Sequence, residues 1–195
     1  MNNVKDFRNA SYDIDPIYLK RWSPRSFKDK EVSDEDLNSI FEAARWAPSA
    51  ANVQPWRFIF AQSAEDRNKF LSFIHDGNVA WCDKAPVLVA VVSKMDEVRF
   101  GGDNPTHAFD TGAAWGFLAL EAIRKGLITH AMGGFDREKA KKVLHIPENY
   151  MIHAIVAVGY QGETAELKEQ YQEREKPSDR HEVESFISEG IFIEK

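Results

Sequence analysis

Three short stretches of the chain carry residue types arranged to hold a ligand. In Arg21-Trp22-Ser23-Pro24-Arg25, two arginines and a hydroxyl occupy alternate positions. Pro24 keeps the backbone extended, and alternate side chains of an extended chain share a face, so Arg21, Ser23 and Arg25 point the same way. Forked guanidinium donors on either side of a hydroxyl suit a phosphate monoester. In the stretch Ala47 to Trp56 (APSAANVQPW), Ser49, Asn52 and Gln54 stand among prolines and small residues. A primary amide offers a donor and an acceptor together, the equipment for reading the polar edge of a heterocycle. The third stretch, Met132-Gly133-Gly134-Phe135-Asp136, lets a planar ligand lie against bare backbone whose N–H groups can donate to it. Read alone, each has a plainer account: a surface turn with two solvated arginines, a rigid connector whose amides satisfy its own backbone, and a turn with a glycine cap.

Other chemistries lack their equipment. The chain contains no G-x-x-x-x-G-K, no G-x-G-x-x-G and no G-x-S-x-G, the signatures of P-loop, dinucleotide-binding and α/β-hydrolase sites. Its six histidines never fall at the i, i+4 spacing of a helical metal pair, so no metal site is expected. A single cysteine, Cys82, excludes an intramolecular disulfide and, beside Trp81, reads as a small buried hydrophobe. No pair of carboxylates stands out for acid–base work. A catalyst made from this chain would therefore keep its chemistry in a bound cofactor.

The scaffold that must position these stretches can be outlined. The chain has 195 residues, 43% of them apolar, with 13 Phe, 5 Trp and 5 Tyr. One domain of that size buries roughly 70% of its unfolded surface, which excludes disorder over most of its length. A net charge of −6 argues against nucleic-acid binding by phosphate neutralisation. No apolar run approaches the roughly 18 residues of a membrane span. The polar start MNNVKDFRNASYD has no signal-peptide character, and a cytoplasmic location is expected.

Ser33-Asp34-Glu35-Asp36 forms a capping box ahead of a helix whose buried stripe is Leu37, Ile40, Phe41 and Ala44, closed by Pro48. A strand follows at 56–61, then a short helix capped by Ser63 and carrying Phe70, Phe73 and Ile74. Residues 86–93 are apolar on both faces, as a central strand requires. A long helix from about Ala108 to Lys125, stopped by Gly126, has Phe109, Ala113, Gly116, Phe117, Leu120 and Ile123 as its stripe. Gly112, Ala113, Ala114 and Gly116 would admit another backbone closely. Strands at 128–132 and 152–160, with a helix near 137–145 capped by Asp136, complete a single domain over 1–195. Residues 163–184 are rich in Glu, Lys and Gln, and Phe186, Ile187, Ile191, Phe192 and Ile193 follow. This reads as a C-terminal arm, roughly 161–195, whose tip docks on another subunit, or as a frayed tail.

In their order the three stretches resemble the nitroreductase family of FMN-dependent oxidoreductases. The likeness also takes in Ala85-Pro86, the Ala-rich long helix, Val158-Gly159-Tyr160 and a late Arg180, and it spans residues 18 to 186. It implies an α+β sandwich with a central, mainly antiparallel sheet flanked by helices. It further implies an intertwined homodimer with two FMN sites at the subunit interface. By the same resemblance Arg21, Trp22 (through its backbone), Ser23, Arg25 and Arg180 would hold the phosphate and ribityl end. Pro48, Ser49, Ala50, Asn52 and Gln54 would line the flavin from the partner chain. Met132, Gly133 and Gly134 would lie at the ring, with a backbone N–H facing N5, and Asn78 would also meet it. Trp81 stands where some members have a lysine, and Trp115-Gly116 where many have Gln-Asn. The implied activity is ping-pong hydride transfer from NADH or NADPH to a nitroaromatic, a quinone or an enone. Flavin-dependent dehalogenation, oxidation of a small metabolite and non-catalytic flavin carriage remain alternatives at this stage.

Overall fold

The computed structural model describes residues 4–96 and 101–194. Four strands among them, β1 (Trp56–Ala61), β2 (Val87–Lys94), β3 (Ile128–Met132) and β4 (Tyr150–Gly159), make one antiparallel sheet in the order β1-β2-β4-β3. All of β2 but Lys94 is buried, so the strand without charged residues before its end takes the centre of the sheet. Its alternate residues feed two cores. Val87, Val89 and Val91 face one side, and Leu88, Ala90 and Val92 face the other. In β4 the register slips opposite Val91 and Val92, leaving His153 unpaired between Ile152 and Ala154. That bulge puts Ile152 and Ile155 on the same face although they are three residues apart.

The described helices are α1 (Ile17–Lys20), α2 (Asp34–Arg45), α3 (Ala64–Leu71), α4 (Asp76–Cys82), α5 (His107–Arg124), α6 (Arg137–Val143) and α7 (Glu169–Gln172). On one face α2 and α5 cover the valine side of the sheet with Leu37, Ile40, Ala44, Ala114, Leu118 and Ala122. On the other, Phe70, Phe73, Ile74, Trp81, Phe135 and Ala140 close the second core. Three caps form at the expected residues: Ser33 accepts from the Asp36 N–H, Ser63 from Asp66 and Asp136 from Lys139. An α+β sandwich is the result.

Three sequence expectations need correction. The apolar stripe expected on α5 is not the one its chain buries. The helix instead buries Asp110, Thr111, Ala114, Leu118, Ala119 and Ala122, while Phe109 is 79% and Phe117 43% exposed. Size suggested the phenylalanines, but close approach to α2 selects the small residues. Phe73 and Ile74 are buried beyond the end of α3, in the turn to the separate helix α4. The expected arm also begins later than residue 161. Gln161 bridges Phe27, Gly162 N–H donates to the Ser26 carbonyl, and Leu167 and Tyr171 pack on the second core. A Cβ on Gly162 would lie 2.9 Å from the Phe27 backbone, which shows how tightly this segment is laid down. Only beyond Pro177 does the chain turn outward, and there Phe186, Ile187, Ile191, Phe192 and Ile193 stand exposed.

Candidate functional site

A cavity of about 290 Å³ is lined by Arg8, Arg21, Trp22, Ser23, Arg25, His130, Arg174, Lys176, Ser178 and Arg180. The sequence-predicted Arg21, Trp22, Ser23, Arg25 and Arg180 are thus brought together. Arg21 donates to the Ser23 hydroxyl at 3.3 Å. Arg8 ties the cavity's walls, donating from Nε to the Ser178 carbonyl and from Nη1 to the carbonyls of Leu19 and Arg21. Burial and then the neighbouring Arg180 lower the pKa of Arg21; Arg8 is lowered by burial, Arg180 and Arg21. Cations crowded in this way repel one another, and an anion between them removes that cost.

Glu175 fixes the geometry from beneath. It is 2% exposed, and its carboxylate accepts from the backbone N–H groups of Arg25 and Ser26 and from the Ser26 hydroxyl, at 2.7 to 2.9 Å. Its neighbours Arg174 and Lys176 reach the cavity. Trp81, where the resemblance left the pocket in question, is 3% exposed. It stacks on Phe27 and packs at a tilt against His130, with Arg25 over its ring. It supports the cavity from behind and is not among its lining residues.

His130 also marks the path along β3. Met132 and Gly133 follow two and three residues on, about 10 Å at the rise of a strand. Asn78 Nδ2 donates to the Gly134 carbonyl, and so does the His75 N–H. A Cβ on Gly134 would meet Asn78 at 2.6 Å, so packing explains that glycine. Gly133 differs: its φ is not positive and a Cβ there would meet nothing within 4 Å. Among the described residues nothing requires a glycine at that position.

The connector lies elsewhere. Ala51, Asn52 and Gln54 hold positive φ of 48°, 58° and 52°, an unfavourable conformation that surrounding bonds must maintain. Ser49 Oγ accepts from the Gln54 N–H, Gln54 Nε2 donates to Asn52, and buried Asp110 of α5 accepts from the Ala50 N–H. Pro48 and Ala50 are exposed. The connector enters β1, whereas Gly133 leaves β3, and these are the two edges of the sheet. Trp56 pairs with Ser93 and Ser93 with Met151, whereas Met132 pairs with Ile155, further along β4. Three strand spacings, roughly 14 Å, separate them across the sheet, in addition to that offset along it. Walls that grip a flat ring stand about 7 Å apart. Within one chain the connector and Gly133 therefore stand too far apart to grip one flat ring between them.

The sequence profile of the nitroreductase family matches residues 18–80 and 73–160. The chain belongs to the nitroreductase family. A relative from Archaeoglobus fulgidus, "Putative NADH dehydrogenase/NAD(P)H nitroreductase", is 32% identical over 148 residues, covering 74% of this chain and 82% of the relative. A crystal structure described as "the oxidoreductase containing FMN" is 38% identical with a TM-score of 0.93, over 96% of this chain and 97% of that one. The fold is shared with iodotyrosine deiodinase, at 24% identity and a TM-score of 0.66 over 90% of this chain and 98% of that one. This family member is thus an oxidoreductase of the nitroreductase type.

Sequence reasoning missed Arg8, His130, Arg174 and Lys176. Arg8 and the 174–180 segment converge only through folding, and the one local signal was the alternation Arg174-Glu175-Lys176. Cys82, fully buried with its thiol pushed up to about 12 chiefly by that burial, is no nucleophile. Among the described residues no group of His, Cys, Asp and Glu is placed to hold a metal, and no helix is long and apolar enough to cross a membrane.

Proposed function

We propose that the protein binds FMN, with its phosphate among Arg21, Ser23, Arg25 and Arg180 and its ring against Met132, Gly133 and Gly134. The observation that carries this reading is the crowded cationic cavity joined by β3 to a glycine that the chain's own packing does not require. Bound there, FMN would supply the redox chemistry, accepting a hydride from NADH or NADPH at N5 and passing it to a small nitroaromatic, quinone or enone. The chain's own part is to hold and orient. Arginine forks fix the phosphate, Glu175 holds the strand that bears Arg25, and the bare backbone at Gly133 leaves room for a flat ring and a donor beside it.

The connector, as a second half-site, supports a homodimer. Pro48, Ser49, Ala50, Asn52 and Gln54 would close on the ring held by the other copy, because their own chain's β3 edge is too far away. Phe109 and Phe117 on the open face of α5, and the apolar arm tip, supply the surface for that association. Leu120 of the same face lines a cleft of about 950 Å³ with Tyr12, Ile14, Tyr18 and Phe186, so helix face and arm belong to one open apolar surface.

Anaerobic titration of the FMN-loaded protein with NADH and with NADPH tests the reading. The visible flavin band should bleach and return when a nitroaromatic or a quinone is added. A protein that retains FMN but does not bleach would be a flavin carrier. One that refuses FMN would end the proposal.

A further inference from the structure

We infer that His130 accepts a hydrogen bond from a ligand hydroxyl in the cationic cavity, so the cavity selects a phosphate ester bearing a hydroxyl close to the phosphate over one without it. The inference deepens the FMN reading, in which the ribityl chain would supply that hydroxyl.

The two ring nitrogens of His130 have different surroundings. Nδ1 lies 2.9 Å from the carbonyl oxygen of Pro24. A carbonyl only accepts, so Nδ1 carries the proton. Burial, helped by Arg25 and Arg21, lowers the His130 pKa to about 4, outweighing the Pro24 carbonyl and Glu175, which act the other way. At neutral pH the ring is therefore uncharged and Nε2 bears a lone pair. Nε2 has no hydrogen-bond partner among the described residues, and it is not one of their buried, unpartnered atoms. The ring lines the cavity, packed at a tilt of 35° against Trp81 with 4.4 Å between centroids. It follows Ile128 and precedes Met132 on one face of β3, so it cannot turn away without disturbing that core.

The company of Nε2 makes it distinctive. Arg21, Arg25, Arg174, Lys176 and Arg180 can only donate. The Ser23 hydroxyl already accepts from Arg21, and that of Ser178 from Arg180, which leaves both free to donate inward. The dianion of a simple alkyl phosphate brings acceptors alone and satisfies all these donors, but not Nε2. A hydroxyl satisfies it by donating to Nε2 while accepting from an arginine.

The protein stripped of flavin would be titrated with propyl phosphate and glycerol 3-phosphate, as wild type and as His130→Phe. The substitution keeps a flat ring over Trp81 and removes the acceptor. Wild type should prefer glycerol 3-phosphate to propyl phosphate by roughly three- to tenfold, the worth of one neutral hydrogen bond. His130→Phe should lose that preference and keep its affinity for propyl phosphate. Equal affinity of wild type for the two esters, or a preference that survives the substitution, overturns the assignment. Should the variant fold poorly, the nitrogen-15 resonance of Nε2 in wild type decides. It should move when glycerol 3-phosphate is added, and a resonance that stays in place overturns the assignment equally. FMN is titrated separately: refusal of FMN with the glycerol 3-phosphate preference intact would strike down the flavin reading and leave this one standing.

Discussion

Arg21 is the residue on which the cationic cavity turns. Its side chain donates to Ser23, its carbonyl is held by Arg8, and burial together with Arg180 already lowers its pKa. Removing it as Arg21→Ala should weaken FMN binding roughly tenfold to a hundredfold, the worth of a charged hydrogen bond. Riboflavin, which has no phosphate, should lose far less, and fluorescence titration of both ligands measures the difference. Equal losses would refute the phosphate assignment. His130 gives a second prediction, in pH. Its imidazole titrates near 6.5 in an unfolded chain and at about 4 in the fold. The unfolded state thus takes up a proton that the native state refuses. The stability contributed is complete above about 6.5, declines as pH falls, and is gone below about 4. Thermal melts of the flavin-free protein should show that slope, and His130→Phe should flatten it. His153, also lowered by burial, then by His107 and Arg137, adds in the same direction.

At the scale of elements, β3 brings the cavity and the ring position into one frame. Gly133→Val tests that frame cleanly, because its Cβ would meet open space and its φ suits a side chain. The variant should melt like wild type yet lose FMN, read as protein without the visible band after purification. A yellow Gly133→Val protein would remove the ring from this strand. Elements were the part of the fold most open to reading in advance. Ser33, Ser63 and Asp136 announce helix starts because a short oxygen side chain beside a first turn has little else to do. β3 was legible at both ends, and β2 stood out by its unbroken apolar run. The buried face of α5 was not, because the helix is apolar on two sides and only the distance to α2 decides which one its own chain covers. Nor were Arg8, His130, Arg174 and Lys176, whose meeting depends on contacts spanning most of the chain. His130 in particular looks like any isolated histidine until its ring is seen against Trp81.

At the scale of the whole molecule, the two half-sites at opposite sheet edges predict trading between copies. Gly133→Val spoils the cradle, and Ala50→Trp, at an exposed connector position, would spoil the other wall. Each variant alone should be colourless. Chains of both kinds, unfolded and refolded together, should recover FMN in a fraction of the sites, since one site of each mixed pair is built from undamaged halves. No recovery, with mixed pairs present by mass spectrometry, would mean that each chain builds its site alone. The arrangement also sets an order of events during synthesis. Arg8 clasps the Ser178 carbonyl, 170 positions later in the chain, and Arg174, Lys176 and Arg180 arrive only with that same late stretch. A nascent polypeptide that has not yet reached residue 174 has the front of the clasp and none of the back. On the proposed reading, coenzyme capture waits until residue 180 has been made, and a chain cut short before Arg174 cannot sequester it.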